Sequence, residues 1–257
     1  MKTVSEISEL RQIIKTWHQQ GLTVAFVPTM GNLHDGHISL VTEAHKHADK
    51  VVSSIFVNPM QFGESEDLDN YPRTFAEDQE KLAAEDVHYL FTPKVEEMYP
   101  NGIENHTRVN VDKLSNMLCG IHRPVHFEGV CTVVSKLLNL VQPNSAIFGE
   151  KDYQQYELVR LMVKNYFIAC RVCCVDTVRE PSGLALSSRL ARLDNAGMEK
   201  AQAFATIFHE GKNNPLDEIK QQLMQIPVNV EYIEKLNDRL YIAVDIDGVR
   251  LIDNVKV

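Results

Sequence analysis

Two histidines, His34 and His37, flank Gly36 in the stretch Pro28-Thr29-Met30-Gly31-Asn32-Leu33-His34-Asp35-Gly36-His37. Imidazoles placed close together can donate to a phosphoryl group, and Gly31 and Gly36 let an anion approach the backbone closely. The stretch follows an apolar run, Thr23 to Val27, that reads as a buried strand. It precedes Ile38 to Ala48, where Ile38, Val41 and Ala44 recur at helical spacing. It is therefore a strand-to-helix turn, and a helix N-terminus offers N–H groups and partial positive charge to an anion. If the first helical turn includes His34, both imidazoles share one face.

Three further loops carry polar residues where strands are expected to end. Asn58-Pro59-Met60-Gln61 follows the apolar strand Val51 to Val57. Gly149-Glu150-Lys151-Asp152 follows Ala146 to Phe148 and opens a helix reaching about Asn165. Leu186-Ser187-Ser188-Arg189 comes after a strand read over Val172 to Val178. In an open parallel sheet, ligands bind outside the carboxyl ends of the strands, so four such loops converge on one edge.

The elements that must position these loops alternate. Thr3 with Glu6 spells a capping box, followed by an apolar stripe from Ile7 to Trp17 and a stop at Gly21. Thr74 with Glu77 spells a second box before a helix to about Glu85, and the acidic stretch Glu64 to Asp69 reads as solvated loop. Val87 to Phe91 reads as a strand, Thr107 to Val111 as an edge strand, and His122 to Phe127 as a loop. Val130 to Val141 forms a helical stripe stopped by Pro143. This α/β alternation predicts a Rossmann-like, doubly wound parallel sheet over residues 1–176. Beyond it, two helices (about 196–208 and 215–225) and three antiparallel strands (228–236, 240–244, 249–255) predict a smaller α+β domain at 177–257.

The chain has 257 residues, 44% hydrophobic and 24% charged, as expected of a globular protein with a substantial core. Its net charge of −9 argues against a general nucleic-acid or anionic-membrane surface, so each cation near a phosphate-like site carries more weight. No apolar run spans a membrane, and Met1 to Glu6 does not read as a signal peptide. Five cysteines, Cys119, Cys131, Cys170, Cys173 and Cys174, point to reduced thiols and a cytoplasmic setting. Cys170-x-x-Cys173-Cys174 has no second pair to complete a zinc site and reads as buried thiols; no protein metal site is expected. Asp245-x-Asp247-Gly248 reads as a hairpin turn, and His45 and His47 as solvent-facing.

His34-x-Gly36-His37 after a strand resembles the signature of the nucleotidyltransferase superfamily that includes class I tRNA synthetases. A longer series resembles the pantothenate synthetase (pantoate–β-alanine ligase) family. It comprises Pro28-Thr29-Met30-Gly31, Phe56-Val57-Asn58-Pro59-x-Gln61-Phe62, Tyr71-Pro72-Arg73-Thr74, Arg123-Pro124, His126-Phe127, Phe148-Gly149-Glu150-Lys151-Asp152 and Leu186-Ser187-Ser188-Arg189. The resemblance implies ATP-dependent condensation of pantoate with β-alanine through a pantoyl-adenylate, with Mg²⁺ accompanying ATP, in a cytoplasmic homodimer. It implies that Met30, Gly31, Asn32, Leu33, His34, Asp35, Gly36 and His37 hold ATP, with His34 and His37 at the phosphates and His37 the proton donor. Gly149, Glu150, Lys151, Asp152, Val178, Leu186, Ser187, Ser188 and Arg189 would complete the ATP site. Gln61 and Gln155 would grip pantoate, and Gln61 would later meet β-alanine.

The chemistry is compatible with these roles. Lys151, Arg189 and the two histidines would stabilise charge developing on phosphate, and amides suit the hydroxyls of pantoate because glutamine both donates and accepts. Two departures stand out: Val125 where the family usually has glycine, and Leu190 where asparagine is common. Two other readings are weighed. A nucleotidyltransferase acting on a phosphorylated acceptor would call for a cation where Asn58, Gln61 and Gln155 stand. A non-catalytic nucleotide-binding protein has no need of His34, His37 and Lys151 together.

Overall fold

The computed structural model describes residues 1–63, 68–69 and 71–257. Glu64 to Asp67 of the expected acidic loop lie outside the described residues. The chain runs β1 (Lys2–Val4), α1 (Ile7–Gln19), β2 (Val24–Thr29), α2 (Asp35–Ala44), β3 (Lys50–Ile55), a 3-10 turn (Pro59–Gln61), α3 (Phe75–Ala84) and β4 (Tyr89–Phe91). Three single-turn helices follow, α4 (Val95–Met98), α5 (Asp112–Ser115) and α6 (Cys119–His122). Then come α7 (His126–Val141), β5 (Ser145–Gly149), a 3-10 turn (Glu150–Asp152), α8 (Tyr153–Asn165) and β6 (Arg171–Val175). A further 3-10 turn (Ser188–Arg192), α9 (Asn195–Glu210), α10 (Leu216–Leu223) and β7 (Asn229–Leu236), β8 (Arg239–Ile246) and β9 (Val249–Lys256) complete it.

The first six strands form one sheet in the order β1-β4-β3-β2-β5-β6, and every pairing in it is parallel. This is the doubly wound sheet that the α/β alternation predicts. Val24 to Val27 of β2 are fully buried, as a central strand covered on both faces requires. The last three strands form a separate antiparallel sheet, β7-β8-β9. The Asp247-Gly248 step between β8 and β9 has φ of 53° and 80°, the left-handed pair that a two-residue hairpin turn needs.

The chain divides into two compact units. One comprises Met1–Leu33, His37–Gly149 and Gln154–Val175, with a core in which Ala25, Val27, Leu33, Val41, Leu82 and Ile147 are buried together. The other comprises Asp176–Val257 together with two short pieces, His34–Gly36 and Glu150–Tyr153. Its core packs Phe204, Phe208, Ile219, Ile242 and Leu251, with Leu190 against it.

Several local expectations are corrected. Thr3 is in β1, and Glu6 at the N-cap of α1 makes no side-chain cap; Glu97 supplies it instead, accepting from Ile7 N–H at 2.8 Å. Thr74 does not cap α3 either, and its hydroxyl bonds to Asp78 at 3.2 Å. Thr107 to Val111 pairs with no strand among the described residues; Val109 N–H is satisfied by Thr132 Oγ1 at 2.9 Å. His122 closes α6 and His126 opens α7, where a loop is expected. Cys174 is exposed while Cys173 is buried, because β6 is an edge strand whose faces differ.

Candidate active site

Within the first unit, the turn after β2 is held from below. Gly31 and Asn32 adopt positive φ, 84° and 50°, so the chain reverses in the left-handed region that glycine and asparagine tolerate. Asp78 of α3 is 1% exposed and accepts the N–H groups of Asn32 at 2.8 Å and Leu33 at 2.7 Å. Lys81 donates to the Leu33 carbonyl at 2.6 Å, and Gly31 N–H meets Thr29 Oγ1 at 3.3 Å. These backbone groups are thus already bonded within the protein. An anion at this turn would therefore meet side chains more than the strand-to-helix pattern predicts. The Leu33 side chain lies in the core.

Helix α2 begins at Asp35, so His34 precedes the first turn rather than belonging to it. Its Nδ1 accepts Gly36 N–H at 3.1 Å, which leaves the proton of the neutral ring on Nε2. A Cβ on Gly36 would lie 2.8 Å from His34 Cε1 and 2.9 Å from Nδ1, so the glycine seats the imidazole. His37 is half-buried in the first turn of α2, and Asp35 is exposed.

Gln61 sits in a cradle that sequence reading misses. It is 6% exposed, in the 3-10 turn after β3. Asn58 Nδ2 donates to Gln61 Oε1 and to the Gly129 carbonyl, each at 3.1 Å, and Tyr99 donates to Asn58 Oδ1 at 2.7 Å. The chain of donors fixes the amide orientation: Gln61 offers its Nε2, which lies 3.1 Å from the weak acceptor Met30 Sδ. His126 Nδ1 is 3.0 Å from the Gln61 carbonyl. A Cβ on Gly129 would lie 2.5 Å from Gln61 Cα and from the Met60 carbonyl oxygen, so α7 can approach this turn only through glycine. A lone glycine inside an apolar helical stripe is the signal that marks this close approach. Val125 has φ −92° and ψ −11°, a conformation open to any residue, so this turn does not need the family's glycine.

On α8, Gln154 is buried and occupied: it donates to the carbonyls of Leu114 and Met117 and accepts Cys119 N–H. Its neighbour Gln155 is half-buried. A Cβ on Gly149 would meet Leu40 Cδ2 at 3.8 Å, ordinary contact, so packing among the described residues does not demand glycine there. Cys131 is fully buried, and burial pushes its thiol up to about 12.

In the second unit, Lys151 is half-buried, 3.8 Å from Asp152. The Glu150 side chain pairs with Arg239 at 2.7 Å and so serves the fold. Val178 and Leu186 face each other across a hairpin, with Leu186 N–H donating to the Val178 carbonyl at 3.0 Å. Ser187 Oγ caps the next turn through Arg189 N–H at 3.3 Å, and Ser188 and Arg189 are half-buried. The structure brings His34–Gly36 to this segment: a Cβ on Gly36 would lie 3.9 Å from Leu186 Cβ. Asp253 accepts Arg179 at 2.7 and 2.9 Å and stands 3.0 Å from His209 Nε2. Burial alone would raise its pKa, but hydrogen bonds from His209 and Arg179 outweigh burial and hold it lowered.

Comparison with known proteins follows this geometry. A family model described as pantoate-beta-alanine ligase matches residues 2–256. Pantothenate synthetase of Colwellia psychrerythraea is 57% identical over 210 residues, 82% of this chain and 72% of the relative. That of Pseudomonas paraeruginosa is 45% identical over 280 aligned positions, covering 100% of this chain and 99% of the relative. A crystal structure of pantoate-beta-alanine ligase from Francisella tularensis, complexed with beta-gamma ATP and beta-alanine, superposes with a TM-score of 0.94 at 40% identity, covering 100% of this chain and 97% of the other. Pantothenate synthetase from Thermus thermophilus gives 0.89 at 39% identity, with 100% and 99% covered.

Proposed function

The chain belongs to the pantoate–β-alanine ligase family, and from that premise we propose how its own residues carry out the ATP-dependent condensation of pantoate with β-alanine. The pantoate carboxylate attacks the α-phosphorus of ATP, forming a pantoyl-adenylate and expelling pyrophosphate. The neutral amine of β-alanine then attacks the acyl carbon, AMP leaves with the bonding electron pair, and the amine releases one proton to solvent. His34, through its Nε2–H, donates to phosphate together with His37, Lys151 and Arg189, and His37 is the proton donor. Fixed donors of this kind act most strongly where water is excluded. Met30 to Leu33, Asp35, Gly36, Gly149 to Asp152, Val178 and Leu186 to Ser188 shape the nucleotide site, Leu33 and Glu150 through backbone atoms only.

The observation that carries this reading is the Gln61 cradle. A buried amide, oriented by Asn58 to present N–H, suits the oxygens of pantoate, which replace the poor acceptor Met30 Sδ. A phosphorylated acceptor would call for a cation there, which disfavours the nucleotidyltransferase alternative. Gln155 completes the pantoate grip, and Gln61 meets β-alanine afterwards. Mg²⁺ would enter as part of the ATP complex and would offset the charge on its phosphates. No described helix is long and apolar enough to cross a membrane, and the reading carries a cytoplasmic homodimer with it. Incubation with ATP, Mg²⁺, pantoate and β-alanine tests the reaction. Pantothenate and AMP in equal amounts are expected; ADP as the nucleotide product, or no pantothenate at all, overturns it.

A further inference from the structure

We propose that the Asp253-Asn254 pair of β9 is a positioning element that holds two loops of the nucleotide site at once, the Lys151 turn and the hairpin leading to Leu186–Arg189. Successive side chains of a strand point to opposite faces, so one dipeptide can serve two neighbours. Asn254 Nδ2 donates to the carbonyls of Glu150 and Lys151, both at 2.9 Å. Its Oδ1 accepts from Arg239 Nη1. Arg239 in turn pairs with Glu150 Oε1 at 2.7 Å and lies 3.8 Å over the ring centroid of Tyr153. Glu150, Lys151 and Tyr153 are thus tied to β8 and β9 by residues about a hundred positions away in sequence. Asn254 and Arg239 are 4% and 7% exposed, so these bonds act with little competition from water.

Asp253 serves the other loop. Its carboxylate takes both Arg179 nitrogens, and Arg179 Nη1 also donates to the Gly183 carbonyl at 3.0 Å. Glu180 N–H to the Leu184 carbonyl at 2.8 Å and Leu186 N–H to the Val178 carbonyl at 3.0 Å close the hairpin that Arg179 pins. Ser187 to Arg189 continue from its second arm. A catalytic cation must be held to about half an ångström, and a displacement of about 1 Å can cost on the order of 10²-fold in rate. Removing the Asn254 amide takes this donor from two turn carbonyls and loosens Lys151 without altering its side chain.

The proposal rests on the reading of Lys151 as a phosphate-facing residue, and the test separates the two. Asn254→Ser, Lys151→Ala and the double variant of the full chain are compared for kcat, for the KM of each substrate, and for hydrogen exchange. Asn254→Ser is expected to lower kcat about 10- to 100-fold with little change in the KM for pantoate. Amides of residues 149–155 should exchange faster, and those of 58–62 should be unchanged. The double variant should be no slower than Lys151→Ala alone, because Asn254 acts through that residue. Asp253→Asn should speed exchange in 178–186 instead. Unchanged kcat and exchange in Asn254→Ser, or losses that multiply in the double variant, overturn the positioning role. Full turnover in Lys151→Ala overturns the reading of Lys151 and with it the catalytic consequence drawn for Asn254. Should Asn254→Ser not fold, Arg239→Met loosens the same turn from its other end and is judged by the same readouts.

Discussion

In the proposed site, Lys151 and His34 are the side chains on which phosphate charge would fall most directly, since Asn32 and Leu33 give their N–H groups to Asp78. Loss of one preorganised donor costs roughly 3–4 kcal/mol of transition-state stabilisation, or about 10²–10³ in rate. Lys151→Ala and His34→Ala should each lose that much turnover with unchanged circular dichroism; a folded variant at wild-type speed removes its residue from the chemistry. In the same proposal, Gln61 serves the other substrate. Its buried amide would leave pantoate oxygens unpaired when deleted, so Gln61→Ala should raise the KM for pantoate well above any change for ATP. Equal effects on both substrates would place Gln61 elsewhere. The side chains of two expected contributors are taken up by the fold: Leu33 packs in the core and the Glu150 carboxylate is spent on Arg239.

The parallel sheet and the hairpin sheet were legible because hydrophobic period and turn residues report backbone state directly: β2 reads as an apolar run, and Asp247-Gly248 as part of a hairpin turn. Capping was less legible, because caps are filled by whichever carboxylate the fold brings near, as Glu97 does for α1 from a distance in sequence that no local pattern records. The same holds for Asp78 beneath the Gly31 turn, and for the Asn58–Tyr99 bond that orients Gln61. Gly129 is the element-scale counterpart, since it sets how closely α7 approaches the Gln61 turn. Gly129→Ala places a methyl 2.5 Å from Gln61 Cα, against backbone that has no rotamer to give. Overpacking of this kind costs about 1–3 kcal/mol. A lower midpoint of denaturation together with a raised KM for pantoate is therefore expected. A stability loss with wild-type kinetics for both substrates would show that Gln61 keeps its place when the helix is pushed away.

At the scale of the molecule, stability and reaction order each follow from buried groups. Asp253 is charged and paired in the folded protein with its pKa lowered, so it contributes stability above the unfolded carboxylate value of about 3.9. That contribution disappears as pH falls through the lower folded value. Asp253→Asn should cost roughly 3–5 kcal/mol near neutrality, since it leaves Arg179 without its carboxylate, and the gap to wild type should narrow in acid. A gap that stays constant from neutral pH to below the folded value would remove Asp253 from the pH dependence.

Reaction order is decided by what the chain offers as a nucleophile. An acyl-enzyme would require a thiolate beside a base, and Cys131, the cysteine nearest His126 in sequence, is fully buried with its thiol pushed up to about 12. With that thiol unavailable, the proposed route runs through a pantoyl-adenylate, with pyrophosphate leaving before β-alanine is needed. Given pantoate, Mg²⁺ and ATP without β-alanine, the enzyme should exchange labelled pyrophosphate into ATP, and Cys131→Ala should do so at the wild-type rate. Failure to exchange would sink the stepwise adenylate, because a concerted reaction must wait for the amine. Exchange lost in Cys131→Ala while its fold survives would instead make the thiol a participant, against the burial that keeps it protonated.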